Sequence, residues 1–165
     1  LSDLQVQLRP LAVQKGLTLR FRPFEGGLIS DPIILHRILG NLISNAIRYT
    51  AHGGVLVAVR RRGQFLVFEI WDTGIGIAAD QQARIFGEFY KVQQGGTEDG
   101  FGLGLALVRR LATMLNYTIS LRSRLTRGTV FRVQAPCSDA LAASTGLTAK
   151  ADRGVARNAA SEYGI

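Results

Sequence analysis

The succession of periodic segments along the chain predicts a two-layer α/β sandwich. Three stretches, at the start of the chain, at residues 31–50 and at residues 103–115, carry apolar residues at helical spacing. Strand-like segments separate and follow them, and two pairs of these segments are joined by the short connections of hairpins. The resulting order of helix, strand, helix, strands, helix, strands is typical of helices in one layer and a sheet in the other.

Length and composition indicate one domain followed by a tail. The chain has 165 residues, enough for a sizeable core, and its single cysteine, Cys137, excludes an internal disulfide. We expect residues 1–137 to form the domain, because Pro136 ends the last predicted strand. Residues 138–165 are rich in small residues and lack an apolar pattern, so we interpret them as a flexible linker or tail.

Charge and hydropathy argue against several kinds of partner. No apolar run reaches the roughly 18 residues of a membrane span, and no signal peptide opens the sequence. The net charge is +8, but the basic residues are scattered apart from a cluster at residues 60–62. This cluster lies at a predicted turn, so we expect it to be solvated and expect neither nucleic acid nor membrane as a partner. An anionic ligand explains part of the excess charge.

The first part of the chain predicts a short helix and two strands. Residues 1–13 are amphipathic, and Pro10 is expected to kink or interrupt the helix that they form. Residues 17–22 alternate between apolar and largely basic positions, as a half-buried strand does. A turn that contains two glycines then leads to a brief strand at residues 28–29.

Residues 31–50 predict the central helix, with a polar row beside its apolar stripe. The opening aspartate can accept from the first free amides, and Pro32 is pre-set for the first helical position. Asn41, Asn45 and Arg48 share a face next to the stripe. Because asparagine is a poor helix former, we favour a row that faces a ligand, with amide oxygens that suit a hard cation such as Mg²⁺. Asparagines that cap a neighbouring loop or lie in solvent are the alternative.

A predicted hairpin of residues 55–59 and 65–71 leads directly into Asp72. Gly74 and Gly76 follow, and they allow the backbone to pass close to a flat ligand. A buried carboxylate at this point accepts a hydrogen bond from an exocyclic amine, which adenine offers and guanine does not at the same position. Alone the pattern is a weak signal, because a tight turn needs the same glycines.

The remainder of the domain predicts two helices and a closing pair of strands. Residues 79–85 predict a short polar helix, and residues 91–101, which are rich in glycine and lack periodicity, predict a mobile loop. A helix with a clear apolar face covers residues 103–115. Residues 118–123 and 128–134 predict the two closing strands.

The glycine run at the start of the third helix suits a phosphate group. Gly100, Gly102 and Gly104 lead into the helix, so backbone amides and the positive end of the helix dipole can meet an anion. The run lacks the lysine and hydroxyl residue of a Walker loop. It also follows a loop and not a strand, which argues against the dinucleotide-binding fingerprint.

Together these segments resemble the catalytic, ATP-binding domain of the bacterial sensor histidine kinases. Residues 31–50 resemble the family's N box, residues 72–76 its first glycine box and residues 100–105 its second. Residues 85–90 are similar to its phenylalanine box, and Gly128-Thr129 matches its closing pair. The wider superfamily includes gyrase, the ninety-kilodalton heat-shock chaperone and the mismatch-repair ATPases.

The resemblance implies the Bergerat fold, a mixed sheet of about five strands with three helices on one face. It implies binding of ATP and Mg²⁺ and transfer of the γ-phosphate to a histidine. Asp72 would then bind the adenine amine, Asn45 would bind Mg²⁺, and Asn41 and Asn45 would be catalytic. The implied ATP-binding residues are Asn41, Asn45, Arg48, Tyr49, Asp72, Gly74, Gly76, Ile77, Lys91, Gly100, Gly102, Leu103, Gly104, Leu105 and Thr129.

The histidine that would receive the phosphate is not found in this chain. His36 and His52 are the only histidines, and neither has the sequence context of the family's phosphoacceptor. The resemblance therefore implies a phosphoacceptor helical domain upstream of this chain as the direct partner and a response regulator as an indirect one. It also implies a monomer in isolation and a cytoplasmic location in a bacterium, in a full-length protein that can be membrane-anchored.

Two alternatives remain open. One is an ATPase of the gyrase or chaperone type, but these enzymes resemble the central helix with glutamate in place of Asn41, and an amide cannot take a proton from water. The other is a degenerate nucleotide-binding module without enzymatic activity. The intact Asn45, Asp72 and glycine run disfavour that reading.

Overall fold

The computed structural model describes residues 1–87 and 104–137, and within these ranges it contains three helices and five strands. In chain order the elements are α1 (Ser2–Gln14), β1 (Thr18–Phe21), α2 (Pro32–Arg48), β2 (Gly54–Arg62), β3 (Phe65–Asp72), α3 (Gly104–Met114), β4 (Thr118–Arg124) and β5 (Gly128–Pro136). Within the described part, no helix has the length and apolar character needed to cross a membrane.

The strands form one mixed sheet in the order β1-β2-β3-β5-β4. β1 and β2 run parallel, and the other three neighbouring pairs are antiparallel. The last strand in sequence therefore lies between β3 and β4, so that Asp72 at the end of β3 faces Thr129 at the start of β5. This arrangement confirms the predicted sheet.

The core lies between the helices and one face of the sheet. α2 is its centre, because Ile38, Leu42, Ile43 and Ile47 are fully buried there. The strands contribute alternate residues, as the two-residue period of a strand requires. In β2, β3 and β5 these are Val55, Val57, Val59, Leu66, Phe68, Ile70, Phe131, Val133 and Ala135.

Side-chain hydrogen bonds define both ends of α2. At the N-terminus, Asp31 Oδ1 accepts from the backbone amides of Ile33 and Ile34, both at 2.9 Å, as the sequence predicts. At the C-terminus, Lys15 Nζ donates to the carbonyls of Ile47, Arg48 and Thr50 at 2.8, 2.8 and 2.9 Å. A cation at the negative end of a helix dipole is favourable, so Lys15 joins the end of α1 to the end of α2.

Two local predictions are wrong, and the interruption expected at Pro10 does not occur. α1 continues through Pro10, which lies on an exposed side of the helix while Leu4, Leu8 and Ala12 hold the other side in the core. Residues 28–29 form no strand, and Leu28 packs against the core without joining the sheet. Residues 79–85 form successive turns and not a helix.

Those turns have a physical cause. Most of their backbone hydrogen bonds span three residues, such as Gln81 N to Ala78 O at 3.0 Å and Arg84 N to Gln81 O at 2.8 Å. Gln82 turns its side chain inward to the backbone of Ile77 and of β4. Tertiary hydrogen bonds thus replace the regular helical ladder that the polar pattern predicted.

Candidate functional site

A pocket lies between α2 and the end of the sheet where β3 and β5 meet. α2, the end of β3 and the turns that follow it, α3 and β5 contribute residues to it. Its lining residues are Asn45, Ala46, Tyr49, Asp72, Ile75, Gly76, Ile77, Ile85, Leu105, Thr129 and Phe131. Of the implied ATP-binding residues, the structure therefore brings Asn45, Tyr49, Asp72, Gly76, Ile77, Leu105 and Thr129 to one place.

Asp72 is the acidic side chain among the lining residues, and backbone hydrogen bonds fix its position. Its Oδ1 accepts from the backbone amides of Gly74 at 2.9 Å and Thr129 at 3.1 Å. Within the described part of the chain, both of these hydrogen bonds go to Oδ1. The carboxylate is thus held as an acceptor beside mainly apolar walls.

The surroundings of Asp72 change its protonation. Burial raises its pKa from 3.8 to about 6, although the two backbone hydrogen bonds act in the opposite direction. At pH 7 the group remains ionised by about ten to one. A ligand N–H that hydrogen-bonds to Oδ2 would replace hydration that burial has removed, so the site favours a donor over an acceptor.

The two glycines after Asp72 are required by the packing of the chain itself. A Cβ at Gly74 would overlap the carbonyl oxygen of Tyr49, and Gly76 has a φ of +72° and lies against the backbone of Arg124. Ile75 N donates to the same Tyr49 carbonyl at 3.2 Å. Both glycines are therefore required where the chain passes close to backbone elsewhere in the fold, and Gly76 lines the pocket as well.

The polar row of α2 lies against the start of α3. Asn41 Nδ2 donates to the carbonyl of Arg37 at 2.8 Å. A Cβ built at Gly104 would be 3.2 Å from Asn41 Oδ1 and 3.8 Å from Asn45 Nδ2. Arg48 is exposed and is absent from the lining of the pocket, so of the predicted row only the two asparagines face α3.

Ser123 and Gln82 organise the pocket, and sequence reasoning missed both. Ser123 Oγ accepts from Ile77 N at 2.7 Å and donates to Gly128 O at 3.1 Å, so the Thr129 hydroxyl 2.8 Å away is its second donor. Gln82 Nε2 donates to Ile77 O at 3.0 Å. Both backbone groups of Ile77 are therefore anchored. No local signal could have revealed this, because the register of β4 against β5 sets Ser123 opposite Thr129.

Part of the predicted site lies outside the described residues. This applies to all of the predicted mobile loop, to the end of the phenylalanine box at residues 88–90, and to the first part of the second glycine box, residues 100–103. The implied ATP-binding residues concerned are Lys91, Gly100, Gly102 and Leu103.

The chain belongs to the family of histidine kinase-, DNA gyrase B- and HSP90-like ATPases, whose family model matches residues 30–139. Among curated relatives, the aerobic respiration control sensor protein ArcB of Escherichia coli is 39% identical over 138 residues, which is 79% of this chain and 18% of ArcB. Sensor histidine kinase RcsC of Escherichia coli is 37% identical over 132 residues, 77% of this chain and 14% of RcsC. The predicted membership of the sensor histidine kinase catalytic domains is thus confirmed.

Solved structures agree with this assignment. Full-length ShkA in complex with AMPPNP has a TM-score of 0.73 and 31% identity, over 83% of this chain and 29% of ShkA. The catalytic domain of histidine kinase ThkA has a TM-score of 0.71 and 21% identity, over 82% of this chain and 89% of that domain, which shows the shared fold. The predicted mixed sheet with three helices is confirmed. The chain spans less than a third of ArcB, RcsC and ShkA.

Proposed function

We propose that this domain binds Mg²⁺-ATP and transfers the γ-phosphate to a histidine on a separate helical domain, in two-component signal transduction. The single observation that carries the proposal is Asp72, an ionised acceptor held by two backbone amides in a mainly apolar pocket of an ATPase-family fold. The solved complex of ShkA with an ATP analogue supports the same ligand class.

The pocket residues suit an adenine ring. Oδ2 of Asp72 would accept from the exocyclic amine, while the carbonyl that guanine has at that position would be repelled. Ile77 and Phe131 offer apolar surfaces to a flat base. Gly74 and Gly76 set the path of the backbone past the ring, and the Thr129 hydroxyl, already bonded to Ser123, adds a polar group at the same end.

The asparagines of α2 would serve the phosphate end of the site. The described residues contain no group of three or more His, Cys, Asp or Glu able to hold a metal ion. Mg²⁺ commonly uses few protein ligands together with substrate phosphates, so a single amide oxygen, that of Asn45, fits the ion. When bound, Mg²⁺ would neutralise phosphate charge. Arg48 and Tyr49 would reach the phosphates, with Lys91 adding a further basic contact.

The second glycine box would act at the triphosphate. In this proposal the segment with Gly100, Gly102, Leu103 and Gly104 closes over the phosphates, and Leu105 belongs to the pocket below it. Phosphoryl transfer needs positioning and charge neutralisation more than covalent catalysis. Asn41 fits this chemistry because its amide cannot act as the base that activates water, which favours transfer over hydrolysis.

Calorimetry of the 165-residue chain with ATP, with and without Mg²⁺, tests the binding step. We expect binding that Mg²⁺ strengthens, that GTP does not reproduce and that Asp72→Asn abolishes. The variant is nearly isosteric and its amide oxygen can still accept from Gly74 and Thr129, whereas its amide nitrogen would oppose the adenine amine. Failure of the folded wild type to bind ATP would instead support a degenerate module.

Transfer is tested separately, by adding the helical phosphoacceptor domain of the full-length protein to this chain and labelled ATP. We expect label on the histidine of the added domain and little release of free phosphate without it. Steady hydrolysis by the chain alone would favour an ATPase of the gyrase or chaperone type.

A further inference from the structure

The sheet face opposite the helices carries a concentration of arginine. Register and strand alternation place the residues concerned on this one face. We call it the arginine face and define it by Arg60, Arg122, Arg124 and Arg132 with Glu69 and Trp71. Its floor is apolar, because Ala58, Val67 and Val130 are buried yet lie outside the main core cluster.

Positive charge exceeds negative charge at the centre of this face. Glu69 is only 2% exposed and lies between two guanidinium groups, with Arg132 Nε at 2.9 Å and Arg60 Nε at 3.3 Å. Arg60 Nε lacks hydrogen-bond alignment despite this distance, and Arg132 also lies 5.6 Å from the centre of the Trp71 ring. One carboxylate is therefore shared by two cations.

The excess grows toward the edge of the sheet. Arg122 and Arg124 are exposed on β4, and neither forms an ion pair with a described residue. Of the side chains that define the arginine face, Glu69 alone is acidic, and its charge is already compensated. An approaching surface therefore meets uncompensated positive charge along β4, which favours an acidic partner.

The edge of the sheet selects the kind of acidic partner. β4 is the last strand of the sheet in the described structure and pairs with β5 on one side. Gln82 and Gly76 cover its other side at Ser123 and Arg124, so the edge that remains for pairing is the first part of β4, up to Arg122. A strand edge offers backbone donors and acceptors to another extended chain, and alternate side chains of that chain would lie on one face. Nucleic acid and lipid lack such a backbone.

We propose that β4 and the arginine face dock an extended acidic segment of a partner protein. The segment pairs with the first part of β4, up to Arg122, and its alternate carboxylates lie on the arginine face, where Arg122 and Arg124 are exposed. This surface is on the opposite face of the sheet from α2, but the groove beside it reaches Asp72 and Thr129, so the peptide is titrated both with and without nucleotide. The competing explanation is that arginines on an edge strand only prevent unwanted pairing.

Trp71 makes the test direct, because it is the single tryptophan of the chain and lies on the arginine face. The probe is a short synthetic peptide of alternating Glu and Val, titrated against the full chain while Trp71 emission is recorded. A peptide of the same composition, with its Glu and Val in two blocks, is the sequence control. The titration is run both without nucleotide and with saturating ATP and Mg²⁺.

We expect the alternating peptide to bind more tightly than the block peptide, and the double variant Arg122→Glu, Arg124→Glu to weaken it by about tenfold or more. The matched control is Arg9→Glu, Arg109→Glu, which makes the same change of net charge on the exposed helix layer and should alter affinity by less than about twofold. Thermal unfolding confirms that both double variants fold.

Several outcomes overturn the proposal. They are no binding of the alternating peptide to the folded chain, equal binding of the two peptides, or equal weakening by the two double variants. Tighter binding of oligodeoxythymidine or of phosphatidylglycerol vesicles at this surface, lost in the β4 double variant, would assign it to nucleic acid or to a membrane instead.

Discussion

At the scale of single residues, the surroundings of Asp72 determine both the orientation of its carboxylate toward a ligand and the pH at which the carboxylate is protonated. The backbone amides of Gly74 and Thr129 orient the carboxylate, but burial opposes its charge more strongly than they support it. Because its pKa is about 6, the carboxylate is ionised at neutral pH, and its buried charge lowers the stability of the folded state. Both consequences can be measured.

Adenosine affinity should decrease as the pH falls through the pKa of Asp72. The ionised carboxylate is the acceptor, so affinity should be constant well above pH 6 and fall by about tenfold for each pH unit below it. Adenosine is the probe because it has no phosphate that titrates in this range. Calorimetry between pH 5 and pH 8 measures the profile. A flat profile would contradict the role of Asp72.

Removing the buried charge should stabilise the fold. Because the pKa is raised, the stabilising contribution of Asp72 is fully present below pH 3.8 and is lost as the pH rises through about 6. The free energy of unfolding of Asp72→Asn should therefore exceed that of the wild type by about 1–3 kcal/mol at pH 8. The difference should shrink toward pH 4. Urea denaturation at both pH values checks it, and a less stable variant at pH 8 would disprove it.

At the scale of elements, the β4–β5 pair positions the segment that follows Asp72. Ser123 on β4 accepts from Ile77 N and contacts the Thr129 hydroxyl, so the strand pair holds a loop that has no regular structure of its own. The glycines allow this loop to pass close to α2 and β4, and the hydrogen bonds of Ser123 and Gln82 select its conformation.

Ser123→Ala should therefore lower the stability of the fold and the affinity of the pocket for ATP by more than the partial burial of the Ser123 side chain suggests. Ile77 N would lose its partner, and an unsatisfied buried amide costs about 1–3 kcal/mol of stability. ATP affinity should fall with it, because Ile77 lines the pocket. Ser120→Ala is the matched control, since Ser120 is exposed on the opposite face of the same strand. Denaturation and calorimetry on both variants decide, and equal effects would refute the anchoring role.

At the scale of the whole molecule, helices cover one face of the sheet and arginines dominate the other. The helix layer and the end of β3 form the pocket, while the arginine face carries Glu69 between two cations. The net charge of +8 opposes self-association.

The chain should therefore be a monomer in solution. Multi-angle light scattering at moderate ionic strength measures its mass, which should equal that of one chain of 17.9 kDa. Mutual repulsion of copies with this charge is the physical reason. A mass of twice this value that persists on dilution would contradict the prediction.

Interactions between residues that are close in sequence determine several elements of this fold. The Asp31 cap and Pro32 start α2, the alternation of residues 65–71 makes β3, and the strand ends at Asp72, all visible from neighbours in sequence. The match of residues 72–76 to a glycine box identified the most constrained acceptor in the pocket. Such features depend on interactions within a few residues, so a linear sequence contains them.

Tertiary structure alone decided the rest. Insertion of β5 between β3 and β4 sets Thr129 opposite Asp72 and Ser123 opposite Thr129, and it puts Arg132 beside Glu69. The same packing leaves Arg48 exposed and replaces a predicted helix at residues 79–85 by turns bonded to β4. Pairings between distant strands depend on how the helix layer and the whole sheet fit together, and no local pattern specifies them.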